Sequence, residues 1–131
     1  EGAQASYLRS LAGPTVTLIG SVSDDQKASL LTQARALLYC SIEEDFGMVT
    51  AEALAHGIPV VGYNSGGTTE IVTAKTGILF ADFTPESLRA AIKLFEGKRF
   101  SVAACQSRAR IFAADNFLNG IYKLVAKRRR E

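Results

Sequence analysis

The stretch EEDFGMVTAEALAHGIPVVGY, residues 43–63, decides the fold. Its second half is a stop signal followed by a strand. Gly57 suits a helix C-terminus, Pro59 prevents the helix from resuming, and Val60-Val61-Gly62-Tyr63 is a short apolar run. Its first half is a helix opened by negative charge. Glu43, Glu44 and Asp45 precede Phe46-Gly47, and Glu52 stands inside the apolar helical run. A loop, a short helix and a buried strand packed into so few residues is the repeating unit of a parallel α/β sheet.

The same alternation runs outward from it. Upstream, Tyr7, Leu8 and Leu11 read as the end of a helix closed by Gly13-Pro14. Val16, Leu18 and Ile19 read as a buried strand ended by Gly20. Ser23 and Gln26 fit a capping box, and the helix behind them places Leu30, Leu31, Ala34, Leu37 and Leu38 on one face. Leu37-Leu38-Tyr39-Cys40 reads as the next strand. Downstream, Asn64-Ser65-Gly66-Gly67 is a loop, with Thr68 or Thr69 capping a short helix that holds Ile71 and Val72. Ile78-Leu79-Phe80 is a further strand. Thr84 is an N-cap with Pro85 at the first helical position, and Leu88, Ala91, Ile92 and Phe95 form that helix's apolar face. The remainder reads as helix, with breaks near Gly97 and Asn119-Gly120. The strands are continuous apolar runs, as expected of a Rossmann-like parallel sheet covered on both faces. Ligands of such sheets bind beyond the carboxyl ends of the strands, so the loops at 20–22, 41–48 and 63–68 are expected to open onto one edge.

Composition narrows the class. The chain has 131 residues, 47% of them apolar and 21% charged, about one domain's worth. No run approaches the roughly 20 apolar residues of a membrane span, and the first residues carry no secretory pattern. The chain begins with Glu, which reads as a fragment. Cys40 and Cys105 sit among apolar residues, which predicts buried, reduced thiols in a cytoplasmic protein. One His and no Cys/His cluster argue against a metal site. The net charge is +2, but residues 127–130 read KRRR. Without these four and Glu131, 11 basic residues face 12 acidic ones, a net −1. That excludes a general nucleic-acid surface.

The backbone N–H groups of Phe46, Gly47, Met48 and Val49, at the start of a helix, form an anion site of the kind that binds phosphate. Acids aimed at a phosphate need another purpose, and carboxylates accept charge-assisted hydrogen bonds from sugar hydroxyls. Glu44 and Glu52 lie roughly 10 Å apart at helical rise. One acid would hold a sugar and the other a ribose, with a diphosphate on the helix end between them. The plainer reading is that the acids stabilise the helix dipole, by about 0.3–1 kcal/mol each, and that Glu52 faces solvent.

Glu44-x7-Glu52, with Phe46-Gly47 inside it and EALAHGIPV after it, resembles the E-x7-E signature of the retaining glycosyltransferases of family 4, the group 1 glycosyl transferases. Thr17-Leu18-Ile19-Gly20, Tyr63-Asn64-Ser65-Gly66-Gly67 with Glu70, and Lys75-Thr76-Gly77-Ile78-Leu79-Phe80 resemble other segments of that family, in its order, across residues 1–95. The resemblance implies a GT-B architecture, of which this chain is the C-terminal, donor-binding part without its first strands. It implies that Glu44 contacts the transferred sugar and Glu52 the ribose. Phe46, Gly47, Met48 and Val49 would meet sugar and diphosphate, Gly20, Ser21 and Val22 the nucleobase, and Gly66 and Gly67 the donor.

By the same resemblance, a UDP- or GDP-sugar is the substrate, no cofactor or metal is needed, and a hexosyl group passes with retention to a sugar or lipid-linked acceptor. The family's basic diphosphate clamp and its acceptor-binding domain have no counterpart in these residues, so the chain alone is expected to be inactive. The alternative is a non-catalytic sugar-nucleotide module. The family often carries Pro where Cys40 stands. His56 and Glu70 read as helix-end residues. The KRRR tail reads as a solvated helix end, or as attraction to an anionic membrane at the cytoplasmic face. A dehydrogenase is excluded, since GYNSGG at 62–67 lacks dinucleotide-fingerprint spacing.

Overall fold

The computed structural model describes residues 2–128. Its elements follow in the order α1 (Ala5–Leu11), α2 (Asp24–Gln33), β1 (Leu37–Tyr39), α3 (Met48–Ala55), β2 (Val60–Tyr63), α4 (Thr68–Ile71), β3 (Gly77–Phe80), α5 (Pro85–Glu96), α6 (Val102–Arg110) and α7 (Ala114–Arg128). The three strands form one parallel sheet in the order β1-β2-β3. Leu37 pairs with Val60, and Val60 with Gly77, so the register runs straight across.

Two apolar layers sandwich the sheet. Successive strand residues point to opposite faces, and in β2 this sends Val60 one way and Val61 the other. Val60 packs with Ala53 and Leu54 of α3, Ile71 of α4 and Cys105 of α6. Val61 and Phe80 pack with Ala91, Leu88, Ile92 and Phe95 of α5. Helices therefore cover both faces, as the apolar strand runs predict.

Local chemistry sets the element ends. At α2, Ser23 Oγ accepts from Gln26 N at 3.2 Å while Gln26 Oε1 accepts from Ser23 N at 3.0 Å, completing the expected capping box. At α5, Thr84 Oγ1 accepts from Ser87 N with Pro85 in the first turn. α3 ends at Gly57, whose φ of 80° is left-handed. Gly57 N donates to Leu54 O and Ile58 N to Ala53 O, both at 2.9 Å, the paired bonds of a Schellman stop.

Several expectations fail. No strand forms over Val16, Leu18 and Ile19, which stay 54%, 42% and 53% exposed. A parallel strand needs a neighbour, and strand order reverses at the switch point of a doubly wound sheet, placing the strand before β1 away from it. No strand among the described residues fills that gap. α2 stops at Gln33, so of the face drawn across Leu30–Leu38 only Leu31 is buried, and Leu37 and Leu38 enter β1. Gly67, not Thr68 or Thr69, is the N-cap of α4. Cys105 is buried as expected, but Cys40 is exposed, one residue past the end of β1 where the chain leaves the sheet. The break at Gly97 is present. Helix runs straight through Asn119-Gly120, and the second break falls at residues 111–113. Of the basic tail, Lys127 and Arg128 end α7, while Arg129, Arg130 and Glu131 lie outside the described residues.

Candidate functional site

The loops at 41–48 and 63–68 leave the carboxyl ends of β1 and β2 and meet there. Gly67 N donates to Glu44 O at 2.7 Å. A Cβ on Gly66 would stand 2.2 Å from Glu44 O, and one on Gly67 2.3 Å from Phe46 O. The Gly-Gly pair thus has a structural cause inside the protein: no other residue lets these two backbones touch.

Glu44 sits at the centre of this junction. Its Oε2 accepts from Tyr39 Oη at 2.5 Å and its Oε1 from Gly47 N at 3.1 Å. The Tyr39 phenol, then the N–H groups of Gly47 and Phe46, hold the Glu44 carboxyl below the usual carboxylate range. In return the carboxylate beside it, together with desolvation, pushes the Tyr39 phenol up. Of the four N–H groups expected at the anion site, that of Gly47 therefore points at Glu44 itself, with that of Phe46 beside it. Those of Met48 and Val49 have no partner among the described residues. Glu44 thus ties down the start of the helix, beside the unpartnered N–H groups of Met48 and Val49. The turn carries two left-handed residues, Gly47 at φ 87° and Glu43 at φ 57°. For Glu43 that conformation costs about 1–3 kcal/mol, of the kind found at ligand loops.

Glu52 lies farther along α3, and its Oε2 pairs with Lys27 Nζ of α2 at 3.0 Å. This pair, ahead of Asp24 at 3.4 Å, raises the pKa of Lys27. Glu52 therefore does not simply face solvent. It also lines a groove of 490 Å³ with Gln106, Arg110 and Phe112. Val22 ends two residues before α2, whose first turn brings Lys27 to Glu52. Gly20 and Ser21 line a separate groove of 440 Å³ against α1. Glu44, Phe46, Gly47, Gly66 and Gly67 are thus brought into contact, Met48, Val49 and Glu52 extend from them along α3, and 20–22 is linked only through α2.

Four residues at this site are invisible to sequence reasoning. Tyr39 and Lys27 read as ordinary strand and helix positions. Arg108 of α6 donates through Nε to Ile71 O at 2.9 Å and through a terminal nitrogen to Glu70 O, and it lies 5.0 Å over the Phe112 ring. Phe112 in turn meets Phe46 edge-on at 5.9 Å. α6 so holds the end of α4 through Arg108, and Phe112 just past α6 meets the 41–48 loop at Phe46, across a sequence distance no local pattern spans.

Residues 4–112 match the family model described as Glycosyl transferases group 1. The α-1,3/1,6-mannosyltransferase ALG2 of Homo sapiens is 32% identical over 120 residues, covering 88% of this chain and 29% of that protein. A GDP-mannose-dependent α-(1-6)-phosphatidylinositol dimannoside mannosyltransferase of Mycobacterium tuberculosis is 33% identical over 112 residues, covering 83% of this chain and 29% of that one. The crystal structure of AviGT4, a glycosyltransferase involved in avilamycin A biosynthesis, superposes with a TM-score of 0.66 at 25% identity. It takes in 95% of this chain and 42% of AviGT4. The chain thus spans under a third of these two curated relatives. With its parallel sheet, its E-x7-E helix and a family match over most of its length, the chain belongs to the group 1 glycosyltransferases, of GT-B fold.

Proposed function

We propose that this chain is the donor-binding part of a glycosyltransferase and takes a nucleotide-diphosphate sugar. The observation that carries the reading is the junction of Glu44 with the first turn of α3: an oriented carboxylate beside the unpartnered N–H groups of Met48 and Val49, with Glu52 farther along the same helix. A carboxylate takes hydroxyl donors and a helix start takes phosphate. That division of labour fits a sugar linked through a diphosphate to a ribose.

In the proposed reaction a hexosyl group leaves the diphosphate with retention and passes to a sugar or lipid-linked acceptor held by a further domain. The helix start stabilises the departing diphosphate where charge develops, without a resident metal. The mannosyltransferase names of the relatives, one of them GDP-mannose-dependent, favour GDP-mannose as the donor. A peripheral place at the cytoplasmic face of a membrane, through the basic end of α7, belongs to the same proposal. No helix among the described residues is long and apolar enough to cross a membrane. Equal flotation with anionic vesicles after charge reversal of residues 127–130 would remove that part.

Calorimetric titration of UDP, GDP and their sugar conjugates into the chain tests the reading, with Glu52→Ala as control. One nucleotide is expected to bind and to lose about tenfold in affinity in the variant, as when a hydrogen bond to a charged group is removed. A folded chain that binds none of them would defeat the donor assignment.

A further inference from the structure

Tyr39 closes β1 and looks in the sequence like one more apolar strand position. Its ring packs at the edge of the α3-side core, and its hydroxyl leaves that core to reach Glu44 Oε2 at 2.5 Å across the loop. With Tyr39 on Oε2 and Gly47 N on Oε1, Glu44 already accepts one hydrogen bond on each oxygen. A carboxylate offers about four acceptor positions, and the Phe46 N–H beside it crowds one of the two left, so little more than one remains open. A group so placed recognises a hydroxyl donor and repels a phosphate.

We propose that Tyr39 is a positioning residue for the donor sugar: its hydroxyl fixes the turn of the Glu44 carboxylate, so that the remaining acceptor position faces a sugar hydroxyl. This rests on the donor reading of Glu44 given above. It makes Tyr39 matter for the sugar and not for the nucleotide, which Glu52 and the α3 start hold.

The surroundings add few competing charges. Glu43 and Asp45 flank Glu44 in its own loop. The 64–67 loop meets it through the Gly67 N–H, and α4 carries Glu70. Arg108 of α6 is engaged by the carbonyls of Glu70 and Ile71 and the ring of Phe112. On the Tyr39 side, the Ser41 hydroxyl lies beside the phenol and opposes the rise in its pKa. Tyr39 is the leading cause of the lowered Glu44 pKa, so its hydroxyl keeps Glu44 an acceptor as pH falls.

The test is Tyr39→Phe in the full chain, which keeps the ring in the core and removes one oxygen. Two quantities are read: the titration midpoint of the Glu44 carboxyl carbon by NMR, and the calorimetric affinity for GDP and for GDP-mannose, with UDP and UDP-glucose as the second pair. The expected result is a Glu44 midpoint that rises toward the ordinary glutamate range, with affinity for the nucleotide sugar falling about tenfold and affinity for the bare nucleotide unchanged. An unmoved midpoint overturns the proposal, because Tyr39 then does not act through Glu44. Equal losses for nucleotide and nucleotide sugar overturn it too, since a merely structural residue would give that. If wild type binds the sugar conjugate and Tyr39→Phe binds it equally well, the positioning role alone falls. If wild type binds none of the four, the donor reading falls and carries the proposal with it.

Discussion

Residues 2–36 and residues 37–112 are built from similar material and fold to different degrees. Both carry apolar runs, caps and turn residues in the right places. In the second region three strands pair, and Leu54, Val60, Val61, Ile71 and Cys105 become fully buried. In the first, both helices form, yet Leu31 is its one buried apolar residue and the run at 16–19 pairs with nothing described. Helices satisfy their own backbone and can form beside a core. A parallel strand satisfies its backbone only through a neighbour. The difference teaches that an apolar run states a willingness to be a strand, and the partner decides.

The sharpest way to break this contrast is truncation of matched leucines. Leu54→Ala is expected to cost about 2–5 kcal/mol in urea unfolding, as for a core leucine leaving a cavity. Leu18→Ala should stay within about 0.5 kcal/mol, as at an exposed position. Comparable losses would mean that residues 16–19 are buried in solution. Next comes the loop junction. Gly67→Ala forces a Cβ onto Phe46 O and should cost about 1–3 kcal/mol by overpacking, with faster amide exchange confined to residues 44–49 and 64–70. Exchange that rises evenly over the sheet would show that the junction is not a separate unit.

A smaller effect is expected in the first region. Ser23→Ala removes half of the capping box and should cost about 1 kcal/mol, seen as fraying of α2 in amide exchange. If the whole chain loses cooperativity instead, α2 is part of the core.

The smallest effects are electrostatic. The Glu44 pKa is lowered in the fold, so its contribution is present above the ordinary glutamate range and disappears as pH falls through the lowered value. Protection of the Gly47 amide should drop in that acid window while β2 amides hold. The Lys27 pKa is raised, so the support of the Lys27–Glu52 pair is present below the ordinary lysine range and fades as pH climbs through the raised value. Both partners are partly exposed, and Lys27→Met should lower the urea midpoint at neutral pH slightly, by less than Ser23→Ala does.

Helix ends in both regions were legible in advance. Ser23 and Gln26, Thr84 and Pro85, and Gly57 and Pro59 mark helix ends through chemistry that acts within a few residues, and all three signals hold in the structure. Cys40 was misjudged, because burial at the last residue of an apolar run depends on what packs over the strand end. The break placed at Asn119-Gly120 failed because glycine lowers helix propensity by only about 1 kcal/mol, and a long amphipathic helix absorbs that. At the site, the pattern Glu44-x7-Glu52 was readable, since both acids ride one loop and helix. Lys27, Tyr39, Arg108 and Phe112 were not, since each reaches the site from a different element.

By itself the sequence determined the alternation of strand and helix from residue 37 onward, the caps of α2 and α5, the stop at Gly57, and the family to which the E-x7-E helix belongs. Those are local properties, set by backbone geometry and by hydrogen bonds a few residues long. Only the tertiary structure decided that the run at 16–19 goes unpaired, that Gly66-Gly67 exists to admit the backbone of Glu44 and Phe46, and that both oxygens of Glu44 are already engaged. Those depend on which surfaces meet. The physical reason is the same in each case: a hydrogen bond between distant residues has no period and no spacing for a sequence to display.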